Sequence, residues 1–134
     1  MELVTLITVL ALTQYLFFVF NTGMARKKYG IQAPAISGHP LFERHYRVQT
    51  NTLEQLVVFV PALWVFATMV ERTNLPGNET AAVLGVIWLV GRTLYARAYV
   101  ANPSSRGVGF LLTLLPTMLL LLGTFVAILV AIAG

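Results

Sequence analysis

Four long apolar runs, separated by three short polar stretches, divide the chain. The first begins at Leu3, is apolar to about Phe20 apart from threonines and Gln14, and stays free of charge to Ala25. At about 1.5 Å per helical residue it is long enough for a ~30 Å hydrocarbon core. Glu2 precedes it and Arg26, Lys27 and Lys28 follow it. That is the reverse of a secretory leader, which carries its basic residues first, so a retained helix is expected. The second run, Leu56 to Val70, is entered without a turn signal from the polar stretch Phe42–Gln55, FERHYRVQTNTLEQ. Pro61 inside it is tolerable in a membrane helix, with a kink expected. The third run extends from about Thr80 to Tyr99, and the fourth, Val108 to Ala133, has no charge at all. Pro116 suggests a bend in the last. Between the runs, Gly30, Pro34, Gly38 and Pro40 break the periodicity of loop one, Tyr29–Leu41. Asn74, Pro76 and Gly77 mark loop two, and Asn102-Pro103 marks loop three, Val100–Ser105, with Ser104 or Ser105 as the expected cap of the fourth helix.

Two polar stripes interrupt this pattern. On a helix, Arg44, Arg47, Asn51 and Glu54 fall at i, i+3, i+7 and i+10, on one face. Arg92, Tyr95 and Tyr99 fall at i, i+3 and i+7 of the third run. Ionisable groups in a membrane helix are costly and mark binding sites by default. The competing reading is an aromatic belt with snorkelling arginines, which suits Arg97 well and leaves the other three open.

Composition supports the bilayer as solvent. Of 134 residues 57% are hydrophobic and 10% charged, against about 25% charged in soluble domains. The expected fold is therefore all-α, an integral membrane four-helix bundle forming one domain over residues 1–134. The absence of cysteine excludes disulfides, a thiol nucleophile and thiolate metal sites. The net charge of +4 is scattered among apolar runs, which argues against nucleic acid. No metal-ligand spacing appears, and His39 and His45 read as solvated interfacial histidines. Loops one and three and their flanks hold Arg26, Lys27, Lys28, Arg44, Arg47, Arg92, Arg97 and Arg106, while loop two offers Arg72 alone as a basic residue. The positive-inside rule then puts loops one and three in the cytoplasm and both termini on the opposite side.

Sequence order and topology bring the two stripes, Arg26 and Arg106 to that one end. Guanidiniums grip carboxylates in bidentate fashion. A buried carboxylate, Glu54, and the amides Gln49 and Asn51 suit an ammonium and peptide groups. The implied ligand is small, zwitterionic and carries more than one carboxylate, as a glutathione-like peptide does. The structural alternative is that Arg47 and Glu54 simply neutralise each other inside the bundle, a pairing that breaks even at best against apolar packing.

The motif E-R-x-x-R-x-Q-x-N-x-x-E at Glu43, Arg44, Arg47, Gln49, Asn51 and Glu54 resembles the signature of the membrane-associated proteins in eicosanoid and glutathione metabolism. Within that superfamily it is similar to the branch of cysteinyl-leukotriene synthase and the microsomal glutathione transferases. The likeness extends in register to ARKKYG at Ala25–Gly30, GRTLYARAY at Gly91–Tyr99 and an arginine seven residues after Tyr99. The resemblance implies a homotrimer with glutathione as co-substrate, bound between neighbouring subunits. By position Arg26, Arg47, Gln49, Asn51, Glu54, Tyr95 and Tyr99 hold it, no metal is involved, and Arg106 is the catalytic residue beside the sulfur. The other partners implied are membrane lipid and a lipophilic electrophile arriving from the bilayer, with lipid hydroperoxide reduction as a related activity. Two positions depart from the synthase branch: Gln55 stands where that branch has tyrosine, and Lys27 where it has a second arginine. Leukotriene formation itself is therefore not the expectation. The rival readings are a non-catalytic lipid- or glutathione-binding protein of the same fold and a small multidrug-type transporter. The transporter needs an ionisable group deep in a membrane helix, typically the first, and the first run has none.

Overall fold

The computed structural model describes residues 1–133. It contains four helices, α1 (Glu2–Lys28), α2 (Pro40–Glu71), α3 (Gly77–Ala101) and α4 (Gly107–Ala133), with one 3₁₀ turn at Pro103–Ser105. All four are long and apolar enough to cross a membrane. The protein is an all-α, membrane-spanning four-helix bundle, with α1 and α4 flanking the α2–α3 pair. Neither Pro61 nor Pro116 ends its helix.

The helix boundaries have local causes. α2 starts earlier than the polar stretch, at Pro40, whose missing N–H costs nothing at a first helical position. His39 caps it: its Nδ1 accepts the Leu41 N–H at 3.2 Å, and its ring stacks on Tyr29 at 3.8 Å. The reading of His39 as a solvated histidine is thereby corrected, because the ring organises the helix start. The expected serine cap of α4 is also corrected. Asn102 takes the capping role one turn earlier, its Oδ1 accepting the Ser104 N–H at 3.2 Å and so closing the 3₁₀ turn.

Lipid gives apolar side chains no reason to leave it, so membrane helices associate through close packing and polar contacts between helices. Both are present. Gly91 presses on Leu112, where an added Cβ would lie 2.5 Å from the leucine Cβ, and Gly85 takes Ile7 in the same way. Trp64 Nε1 donates to Thr8 Oγ1 at 2.9 Å, and Gln14 Nε2 donates to Leu89 O at 3.0 Å and Thr93 Oγ1 at 2.8 Å. The main core lies toward the chain termini, around Val4, Ile7, Phe59, Leu63, Trp88 and Leu120. Leu16, Phe20, Leu122 and Phe125 face outward, as lipid-facing positions do.

Candidate functional site

The other end of the bundle has a smaller core, Phe18, Val48, Tyr95 and Ala96, with Tyr99 and Val100 against it. Two of these are the phenols of the second stripe, so polar chemistry begins where apolar packing thins out.

The deepest member is Arg92, 1% exposed. Its Nε donates to Thr52 Oγ1 at 3.1 Å, and its guanidinium carbon lies 4.0 Å from the Tyr95 ring centroid. That distance is well inside the range of a cation–π contact. Its Nη2 is buried and has no hydrogen-bond partner. Among the described residues the only ion pair joins the N-terminal ammonium to Glu2, so this buried cation has no carboxylate partner.

Tyr95 forms the next layer. Its hydroxyl accepts from Asn51 Nδ2 at 2.7 Å, joining the two stripes across α2 and α3. Its ring stacks on Tyr99 with centroids 5.5 Å apart. Above Tyr99 sits Arg106, its guanidinium carbon 5.9 Å from that ring and its Nη1 donating to Pro103 O at 2.9 Å. Gly109 makes this stacking possible. α4 approaches α3 so closely there that a Cβ would collide with the backbone of Tyr95, and the approach brings Arg106 over the α3 end. Arg44 ties α2 to the same place, Nη1 donating to the last carbonyls of α3, Val100 O at 2.9 Å and Ala101 O at 3.0 Å. Those carbonyls have no helical partner of their own, and a cation suits the negative helix end. Arg47 and Tyr99 line a shallow cleft of about 290 Å³ with Glu43, Arg44 and Pro103.

Five of the eight residues anticipated from sequence thus come together at this end: Arg47, Asn51, Tyr99 and Arg106, with Tyr95, 3% exposed, beneath them. The other three do not join them directly. Glu54 continues the Arg47–Asn51 stripe and is exposed in the single chain, where the Arg47–Glu54 ion pair is not formed. Gln49 is two residues from Asn51 and so about 160° away round α2. Arg26 lies over the Phe42 ring at 4.8 Å and donates from Nη1 to Ala35 O at 2.7 Å. Phe42 and Gln49, seven residues apart, share one face of α2. Arg26 and Gln49 therefore belong to one side of the protein, and the Asn51–Tyr95–Tyr99–Arg106 assembly to another. Among the described residues no three of His, Asp and Glu are placed to hold a metal ion.

Two features were not read from sequence. The stripe spacing included Arg92, but its depth and its tie to Thr52 depend on a neighbouring helix. Gly109 carried no signal beyond being a small residue near a helix start.

The family model of MAPEG matches residues 4–126. The chain belongs to the MAPEG family. It is 48% identical over 124 residues to an uncharacterized protein of Synechocystis, covering 92% of this chain and 86% of that one. Human microsomal glutathione S-transferase 2 is 33% identical over 122 residues, covering 90% of this chain and 79% of the human protein. Bovine leukotriene C4 synthase is 28% identical over 100 residues, covering 75% and 63%. These matches span both polar stripes rather than an apolar segment alone, where composition by itself produces likeness.

Proposed function

We propose that this MAPEG protein is a membrane glutathione transferase, acting as a homotrimer whose sites lie between neighbouring subunits at the end carrying loops one and three, on the cytoplasmic side. The observation that carries the reading is the continuous assembly Asn51–Tyr95–Tyr99–Arg106, which places an amide, two phenols and a cation in sequence on one face. The relatives named for glutathione transfer support the choice of ligand. The donor set fits it as well, since guanidiniums meet carboxylates and the Asn51 amide meets a peptide group.

Two observations support more than one copy. Arg26 and Gln49 occupy the side of α2 away from Asn51, so a single chain cannot close both sets around one small peptide, whereas adjacent copies can. Glu54 lies two residues before the apolar run that begins at Leu56, exposed and without an ion pair. A carboxylate there is costly against hydrocarbon, and a neighbouring subunit would cover it.

Bound glutathione supplies the thiol. Arg47 and Arg26 would hold its carboxylates, Glu54 its ammonium, and Asn51, Gln49, Tyr95 and Tyr99 its peptide groups. Arg106 is the catalytic residue: a fixed cation beside the sulfur favours the thiolate, the nucleophilic form. Each unit of lowered thiol pKa represents about 1.4 kcal/mol of preferential stabilisation. The electrophile is lipophilic and reaches the sulfur from the bilayer. Conjugation and lipid hydroperoxide reduction both start from the same thiolate.

The test is the ultraviolet absorbance of thiolate on mixing the purified protein with glutathione at neutral pH. The unaltered protein should show it. Arg106→Ala should lose it while still binding glutathione, and its turnover of a chromogenic electrophile should fall roughly 100-fold. Equal absorbance from the two proteins would remove Arg106 from the role given to it. Glutathione binding with no turnover by the unaltered protein would favour a non-catalytic binding protein.

A further inference from the structure

A second cleft lies on the other side of the same end. It has a volume of about 440 Å³ and opens between α1, α2 and α3. Its deeper wall is mostly apolar, formed by Phe17, Phe18, Val48 and Ala96, with the Thr93 hydroxyl turned to Gln14 and Leu89. Toward the loops the polar Asn21, His45 and Arg97 join the apolar Val100 and Ala101. An adjoining cleft of about 300 Å³ shares Asn21 and His45 and reaches Lys28 and Tyr29. Lys28 Nζ lies 5.4 Å from the Tyr29 ring centroid, which holds the ammonium at that side.

This groove is not part of the proposed peptide site. Arg97 is two residues from Tyr95, about 160° round α3, and Asn21 is five residues from Arg26, about 140° round α1. No aspartate or glutamate lines either cleft. The only ion pair among the described residues is at the N-terminus, so Lys28 and Arg97 face the groove with uncompensated charge.

The order of these groups along the membrane normal identifies the occupant. Phe17 precedes Lys28 by eleven residues on one helix, about 16 Å along its axis, or about half of a ~30 Å hydrocarbon core. Apolar wall therefore sits at acyl-chain depth and cations at headgroup depth, with Asn21 and His45 between them at the level of the ester groups. We propose that this groove is a binding site for one anionic glycerophospholipid. Its phosphodiester lies between Lys28 and Arg97, and one acyl chain lies along Phe17, Phe18 and Val48. A zwitterionic headgroup brings its own cation toward these two and is disfavoured. A soluble phosphate leaves the apolar wall uncovered. The proposal does not depend on glutathione, and lipid retention is measured without it.

The experiment is stepwise delipidation of the purified protein from mixed phosphatidylglycerol and phosphatidylcholine, followed by quantification of retained lipid by mass spectrometry. The protein should keep phosphatidylglycerol about 30-fold over phosphatidylcholine, the size expected from two interfacial cations at about 1 kcal/mol each. Lys28→Ala with Arg97→Ala should abolish that preference while the helical content of the purified protein stays unchanged. Equal retention of the two lipids, or an undiminished preference in the double variant, overturns the proposal. So does displacement of the phospholipid by oleate at equal concentration, which would make the groove a fatty-acid site. If the double variant fails to fold, Phe17→Trp provides a second readout. Its fluorescence should be quenched more by brominated phosphatidylglycerol than by brominated phosphatidylcholine, and equal quenching counts against the site.

Discussion

The two ends of this bundle solve the same packing problem in opposite ways. Toward the termini, Phe59 and Trp88 stack at 4.3 Å with planes 6° apart inside a closed apolar cluster. Polar groups there largely find partners between helices, as Asn78 Oδ1 does in accepting the Val4 N–H at 3.2 Å. Toward loops one and three, Arg92 is buried with an orphaned nitrogen, and Arg47 and Glu54 lie exposed along one stripe. At the first end the orphaned group is neutral, Trp88 Nε1, whereas at the second it belongs to a cation, Arg92, which one chain leaves incomplete. An unpaired charge in a membrane helix is retained only where something else meets it, so the incomplete end is where ligand and neighbouring subunit are to be sought.

The sharpest way to break this comparison is to weaken one end alone. Phe59 is fully buried, and Phe59→Ala should cost about 3–5 kcal/mol of stability, measured by unfolding in micelles, with glutathione affinity of the folded fraction unchanged. A parallel loss of affinity would show that the two ends are not separable. Gly109→Val tests the join between α3 and α4. Its side chain falls on the Tyr95 backbone, so it should cost about 1–3 kcal/mol through overpacking and, unlike Phe59→Ala, weaken glutathione binding as well. Arg92→Met should separate stability from function in the other direction. Replacing a buried charge by an apolar side chain of similar size is often neutral or stabilising, so the melting temperature should hold or rise while turnover falls about tenfold through the loosened Tyr95. A lower melting temperature with full turnover would make Arg92 structural only. The smallest effect belongs to Tyr95→Phe, which removes the acceptor for Asn51 Nδ2. It should weaken glutathione binding by about 1 kcal/mol, read by calorimetry.

Helix number, helix type and solvent were legible in the chain because they depend on local quantities. Uninterrupted apolar length determines whether a segment can span, and Gly30, Pro34, Gly38 and Asn102-Pro103 mark the loops through their own backbone preferences. The stripes were legible too, since helical spacing alone puts Arg47 with Asn51 and Tyr95 with Tyr99. What spacing leaves open is which side of a helix meets which neighbour. That choice depended on Gly109, where a missing Cβ lets α4 bring Arg106 to Tyr99, and on Thr52, which gives Arg92 a partner and draws it into the interior. It also separated Gln49 and Arg26 from Asn51, and it left Glu54 outside the single chain. Periodicity assigns each side chain an angle about its own axis, but burial and pairing belong to the contact between axes, which exists only once the helices have packed.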